Sequence, residues 1–246
     1  MGIIPIIKKL KPILQKLNLI DLINTLVIIP ARKGSKGIPG KNKKLLAGKP
    51  LIEYTIEAAL GIFPAEKICL STDDIDILKI GLKHGIDQKA LRPISLSMDN
   101  TSAREVILYE ISNCCREVET IIYLQPTSPM RKAWHIREAL DIYNSNDADM
   151  VVSVSRSKSN PYFNMFEENT DGFLTLSKQA NIISRQHSPE VFEYNGAIYI
   201  INCRKLKSHP LSQFKKVKKY LMTRENSIDI DDILDWITAE TLITNS

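Results

Sequence analysis

The sequence predicts an α/β fold, a mostly parallel sheet flanked by helices, and three observations predict it. Short apolar runs rich in β-branched residues, at 26–29, 68–70, 120–124 and 149–154, have the composition of strands buried on both faces. The segments between them, 50–60, 74–84, 102–115 and 133–143, carry apolar residues at helical spacing. Polar and glycine-rich clusters gather where the apolar runs end, the edge along which open α/β sheets bind ligands. With 246 residues, 43% hydrophobic and 25% charged, the chain suits one main domain with elaborations.

Residues 1–24 are expected to form an N-terminal amphipathic helical extension, with Pro5 and Pro12 limiting its regularity. Lys8, Lys9, Lys11 and Lys16 against Asp21 give this segment +3 of the formal net charge of +5. The domain over 25–246 therefore carries only +2, too little for a nucleic-acid footprint and consistent with a small anionic substrate. The lysines interrupt the apolar stripe and no small-residue cleavage site follows, so a secretory signal is not expected. Packing of the extension on the body or on a partner subunit is favoured over membrane contact through residues 1–24. Cys69, Cys114, Cys115 and Cys203 have no metal-ligand or C-x-x-C spacing and read as reduced thiols of a cytoplasmic protein.

The first apolar run opens into Ala31-Arg32-Lys33-Gly34-Ser35-Lys36-Gly37-Ile38-Pro39-Gly40-Lys41-Asn42. Three glycines allow close approach of the backbone to a ligand, and four cations make the loop suited to a polyphosphate. It is not a Walker A loop, because five residues separate Gly34 from Gly40 and Asn42 follows Lys41. It is not the dinucleotide fingerprint either, since the glycines are spaced G-x-x-G-x-x-G.

Further along, Pro50 suits the first turn of a helix to Leu60. The run 68–73 is a second strand, and the helix over 74–84 is closed by Gly85. After Leu91-Arg92-Pro93, Ser102 with Glu105 forms a capping box that starts a helix toward Cys115. The strand 120–124 ends in Gln125-Pro126-Thr127-Ser128-Pro129-Met130-Arg131, a turn stiffened by two prolines. A hairpin is expected over 160–176, with strands 162–166 and 173–176 around a turn at 169–172. Arg185 suits a substrate carboxylate, which a guanidinium binds bidentately. In Ser227-Ile228-Asp229-Ile230-Asp231-Asp232 the alternation projects Asp229 and Asp231 to one side, where magnesium would reconcile their charges. Asp232 is suited to cap the helix over 233–242. The lysine-rich tract 205–224 reads as solvated surface.

Five of these segments, in this order, resemble the motifs of the cytidylyltransferases that activate nonulosonic acids, the CMP-N-acetylneuraminate synthetase family. They are I-I-P-A-R with G-S-K-G-I-P-G-K-N, L-R-P, L-Q-P-T-S-P-x-R, R-Q with N-G-A-I-Y-I, and S-I-D-I-D. The resemblance implies a Rossmann-like sheet of the nucleotidyltransferase type, with an inserted antiparallel dimerisation hairpin at about 156–190. It implies a cytoplasmic homodimer that joins CTP and a sugar acid with Mg2+ as cofactor. Ala31, Arg32, Ser35, Lys41, Asn42, Arg92 and Ser102 would bind the nucleotide. Gln125, Arg185, Gln186, Phe192 and Asn195 would bind the sugar acid, and Asp229 and Asp231 the metal. Arg32, Lys41, Asp229 and Asp231 would act in catalysis. Glu193 stands where sialic acid-activating members are expected to carry a basic residue, and the 160s hairpin lacks their lysine. These departures turn the expected substrate toward legionaminic, pseudaminic or a related nonulosonic acid. A synthetase for CMP-3-deoxy-octulosonate and a non-catalytic nucleotide-binding module are the competing readings.

Overall fold

The computed structural model describes residues 24–34, 37–88, 90–179 and 185–245. The expected helical extension therefore lies outside the described residues up to position 23, as do Ser35 and Lys36 of the glycine loop. In chain order the elements are β1 Thr25–Pro30, α1 Leu51–Leu60, β2 Ile68–Ser71, α2 Ile75–Lys83, α3 Ala103–Ser112, β3 Thr120–Tyr123 and α4 Ala133–Asn144. There follow β4 Met150–Arg156, β5 Phe166–Glu168, β6 Leu174–Leu176, β7 Phe192–Asn202, α5 Cys203–Ser208, β8 Val217–Leu221 and α6 Ile233–Thr244.

Six strands form one sheet in the order β8-β4-β7-β3-β1-β2. β1 runs parallel to β2 and β3, and β8 parallel to β4. β7 lies between β3 and β4 and is antiparallel to both. The sheet is thus mostly parallel, as the alternating pattern predicts. Parallel neighbours need a crossover element; among the described residues between β4 and β7 the chain makes the β5–β6 hairpin and the short turn Arg185–His187, and β7 returns beside β4 in the opposite sense.

Alternation along the buried strands divides the core. Val27 and Ile29 of β1 pack with Ile52 and Ile56 of α1, Ile77 of α2 and Ile136 and Leu140 of α4. Leu26 and Ile28 face the opposite way, onto Ile107 of α3 and Leu206 of α5. A third cluster joins Ile38, Leu46, Leu51 and Ile230 to Trp236 and Ala239 of α6, fastening the glycine loop to the C-terminal helix.

The helix starts follow their caps. Asp74 accepts from the Asp76 amide at 3.0 Å, and Ser102 forms the expected capping box with Glu105. Asp232 accepts from the amides of Leu234 at 2.8 Å and Asp235 at 3.0 Å. Gly85, at φ +79°, closes α2. Pro50 stands one position earlier than expected, as the N-cap of α1. The His135 ring accepts from the Lys132 amide at 2.9 Å, and burial pushes its pKa down to about 4.

The hairpin is shorter than the sequence suggests. The Asn160 carbonyl accepts from the amides of Phe163 at 3.0 Å, Asn164 at 2.9 Å and Met165 at 3.2 Å, winding 161–164 into a turn so that the first strand begins at Phe166. Its own turn is held by Asn169, whose side chain accepts from Asp171 and Phe173 amides.

Candidate functional site

A cavity of about 440 Å3 opens past the carboxyl ends of β1 and β3. Its lining brings together Arg32, Lys41, Asn42, Arg92, Gln125, Asp229 and Asp231 from five stretches of chain. The glycine loop reaches it by lying directly on the segment before α6. A Cβ on Gly37 would stand 2.0 Å from the Asp231 carbonyl oxygen, so only glycine permits that approach. Gly40, at φ +62°, then turns the chain into the short helix Lys41–Lys43.

Two of the loop cations, Lys41 and Arg32, have side chains fixed by distinct partners. Lys41 is buried; its ammonium donates to the Ile230 carbonyl and stands 3.8 Å from Asp231. Arg32 pairs with Asp99. Asn42 donates to the Arg32 carbonyl at 3.2 Å, tying the two ends of the loop, and the Lys33 amide donates to Asp73 at 2.7 Å. Ala31 is buried, and its carbonyl accepts from the Thr72 hydroxyl.

Arg92 is 5% exposed and forms part of the cavity floor. Its guanidinium donates to the hydroxyls of Ser97 at 3.2 Å and Ser71 at 3.4 Å, and Ser71 in turn donates to Glu110 at 2.6 Å. Burial pulls the Arg92 pKa below the ordinary arginine value, while Asp73 opposes that shift. Ser102 borders the cavity only through its neighbours Thr101 and Ala103. Its hydroxyl donates to the Glu105 carboxylate at 2.7 Å and accepts from the Glu105 amide at 3.2 Å, so the side chain is engaged in the capping box.

Behind Gln125 stands Arg131, wholly buried. It donates to the carbonyls of Gln125 at 3.0 Å and Ala197 at 2.7 Å and to the Thr55 hydroxyl. Burial pushes its pKa down to about 9, while Asp229 opposes the shift. This one side chain joins α1, the turn after β3 and the middle of β7.

The register of β7 against β4 shifts between Val152 and Val154, a bulge that contains Asn195 and Gly196. The Ser153 hydroxyl fills the gap, donating to Asn195 at 2.6 Å and accepting from the Ile198 amide at 2.7 Å. Gly196, at φ +73°, is pressed against the site: a Cβ there would lie 2.4 Å from the Gln125 side-chain oxygen and 2.8 Å from Asp229 Oδ2.

Asp229 is half-buried, and desolvation raises its pKa, with Thr127 opposing and Asp231 reinforcing. Its Oδ1 is buried without a hydrogen-bond partner. Among the described residues no group of three or more His, Cys, Asp or Glu side chains is placed to hold a metal ion. A pair of carboxylates bordering one cavity, one with an unpartnered oxygen, nevertheless suits Mg2+, which takes one or two protein carboxylates and completes its shell with phosphates and water. Asp232 is occupied as the α6 cap.

The residues assigned to the sugar acid are not gathered as fully as those for the nucleotide. Gln125 lines the cavity. Asn195 does not: it is 5% exposed, its amide donates to Ser227 at 2.9 Å and to the Met222 sulfur, and its oxygen accepts from Ser153 and the Ala197 amide. With every polar position engaged inside the protein, Asn195 holds the bulge together and has no group left for a ligand. Phe192 is partly buried, with the Lys219 ammonium 3.6 Å from its ring centroid. Arg185 and Gln186 stand in the short turn Arg185–His187, with Gln186 exposed. Asp99, Arg131 and Gly196 carry site geometry that the sequence reading left without a role. The last two sat inside quoted motifs, and the glycine between Asn195 and a strand-like run was the available signal.

A family model described as cytidylyltransferase matches residues 26–228. The N-acylneuraminate cytidylyltransferase of Streptococcus agalactiae serotype III is 36% identical over 221 residues, covering 85% of this chain and 51% of that protein. The chain thus spans about half the length of that relative. The CMP-N,N'-diacetyllegionaminic acid synthase of Legionella pneumophila is 32% identical over 231 residues, covering 89% of this chain and 95% of that protein. Among solved structures, a CMP:2-keto-3-deoxy-manno-octonic acid synthetase complexed with CTP aligns with TM-score 0.64 and 16% identity, covering 90% of this chain and 99% of that one. At that identity the likeness concerns the fold. No helix among the described residues is long and apolar enough to cross a membrane.

Proposed function

The chain belongs to the cytidylyltransferase family, and on that premise we propose that it joins a nonulosonic acid to the CMP part of CTP, releasing pyrophosphate. The observation that carries the proposal is the convergence of Arg32, Lys41, Asn42, Arg92, Asp229 and Asp231 on one cavity. Such a set has cations for a triphosphate, a buried guanidinium for a base edge and an acidic pair for a cation. The relatives named above as acylneuraminate and legionaminic acid enzymes support the same chemistry.

In this reading Arg32 and Lys41, with Ser35, hold the triphosphate and stabilise the charge that develops on it. Lys41 is well prepared, because the Ile230 carbonyl and Asp231 fix its ammonium at the junction of the loop and the acidic segment. Asn42 and Arg92 hold the nucleoside, with Ala31 supplying close-packed backbone beneath. Gln125, Arg185, Gln186 and Phe192 orient the sugar acid so that its anomeric hydroxyl attacks the α-phosphorus in line; the bond from that phosphorus to the bridging oxygen breaks and pyrophosphate leaves. Asp229 and Asp231 would hold Mg2+, which when bound offsets phosphate charge on the leaving side.

The test is a panel of sialic, legionaminic, pseudaminic and octulosonic acids with CTP and magnesium, read by pyrophosphate release. Release is expected with at least one nine-carbon acid. No release from any member would remove the proposal, and release from the eight-carbon acid alone would transfer it to the octulosonate reading.

We further assign the homodimer contact to the hairpin and the turn that precedes it, where Phe163, Met165, Phe166, Phe173 and Leu174 are all exposed. Carboxylates in place of Phe173 and Leu174 are expected to convert a dimer to monomers in sedimentation equilibrium. An unaltered dimer would move the contact elsewhere.

A further inference from the structure

Asp229 also lines a second cavity, of about 500 Å3, at the carboxyl ends of β4 and β8. Ser155, Glu193, Arg224 and Ser227 line it as well, and a smaller adjoining recess shares Ser155, Glu193 and Arg224 and continues to Ser157. Open α/β sheets bind ligands along that edge. The nucleotide cavity occupies the part of it after β1 and β3, and the second cavity, which shares Asp229 with it, offers a place for the co-substrate.

Glu193 is held in this cavity by the pairing of β4 with β7, which sets Ser155 opposite it. The Ser155 hydroxyl donates to one carboxylate oxygen at 3.4 Å and the Ser157 hydroxyl to the other at 3.2 Å. Ser155 and Ser157 are two residues apart in an extended stretch and therefore share a side. Each carboxylate oxygen keeps acceptor capacity beyond its serine. Arg224, on the same walls, offers donors only. An acceptor and a donor on the walls of one cavity can meet the two ends of a secondary amide lying between them, whose N–H and C=O point in opposite directions. A free carboxylate would instead meet Glu193, Glu225, Asp229 and Asp235 on the same walls, with Arg224 alone to offset them.

We propose that Glu193 and Arg224 form a subsite for an acylamino group of the sugar acid, the N–H donating to Glu193 and the carbonyl accepting from Arg224. The inference rests on the cytidylyltransferase reading and adds to it the determinant by which one sugar acid is chosen over another. The serines are positioning residues, holding the carboxylate ready before the ligand arrives.

The test compares a nonulosonic acid that carries an acylamino group with its analogue bearing a hydroxyl at the same position. Glu193→Met is expected to raise KM for the acylamino acid by about tenfold, the usual effect of losing a hydrogen bond to a charged group. KM for CTP should stay within about twofold, and the preference for the acylamino acid over its analogue should fall by the same factor. Arg224→Met, on a separate segment, is expected to do likewise and serves if Glu193→Met folds poorly. An unchanged preference in both variants, or a parallel rise in KM for CTP, overturns the subsite. Calorimetric titration of the two acids into the CTP-loaded protein reads the same preference without turnover. Selective acylamino binding without pyrophosphate release would sink the catalytic reading and leave the subsite standing.

Discussion

Asp229→Asn is expected to lower turnover on the order of 10³-fold, the scale of losing a principal electrostatic contact to a transferring phosphoryl group. The same substitution should leave the metal-free protein at least as stable as the parent. Desolvation raises the Asp229 pKa in the fold, so its ionised form is disfavoured there relative to the unfolded chain. A carboxyl whose folded pKa is raised binds its proton more tightly in the native state. Its unfavourable contribution therefore appears as the pH rises through the unfolded and then the folded pKa, and is fully present near neutrality. Asparagine removes the charge and keeps the shape. Steady-state pyrophosphate release together with thermal unfolding separates the two effects. Wild-type turnover would exclude Asp229 from the reaction, and a large loss of stability would make it a structural carboxylate.

Gly196→Ala is expected to reduce kcat/KM by about 100-fold, the scale of a misplacement of about 1 Å at a reacting centre. The added Cβ would enter the space of the Gln125 and Asp229 side-chain oxygens, at 2.4 and 2.8 Å. Both side chains would have to turn away, each losing the orientation it brings to its cavity. The left-handed backbone at φ +73° adds a penalty of about 1–2 kcal/mol for a residue with a Cβ. Thermal unfolding should therefore fall modestly while activity falls steeply. Activity close to the parent's would mean that the bulge relaxes and that its geometry is not needed.

The parts of this molecule that were legible in the sequence are those fixed by local rules. β-Branched runs became the buried strands because they fill both faces of a parallel sheet, as Val27 and Ile28 do on opposite sides. Ser102 with Glu105, and Asp232 before α6, marked helix starts because a cap is satisfied within a few residues. The cationic glycine loop and the Asp229/Asp231 pair were visible for the same reason, each being a short stretch with a chemistry of its own. The remainder depends on contacts between distant segments. Nothing near Arg32 announces Asp99, which neutralises it from 67 residues away. Arg131 looked like the end of a turn, and its burial is set by carbonyls contributed by Gln125 and Ala197. The direction of β7 is expressed in its antiparallel pairing with β3 and β4, contacts between segments far apart in the chain. Asn195 was read as a ligand contact because its neighbours suggest one, yet the bulge claims its whole hydrogen-bonding capacity.

The contact between the glycine loop and the segment before α6 also bears on the order in which the chain becomes functional. Lys41 and Ile230 are 189 positions apart, and their hydrogen bond closes over nearly all of the sheet. Local turns and capped helices form early, whereas a closure of that span is made late and contributes little until the strands between are in place. During synthesis, β1 and its loop leave the ribosome long before Asp229 and Asp231. A nascent chain can therefore acquire much of its sheet while its lysine is still without a fixed partner. Catalytic competence would then arrive as a late step, when the C-terminal segment docks, and stalled or clipped chains would be folded in part yet inert toward nucleotide.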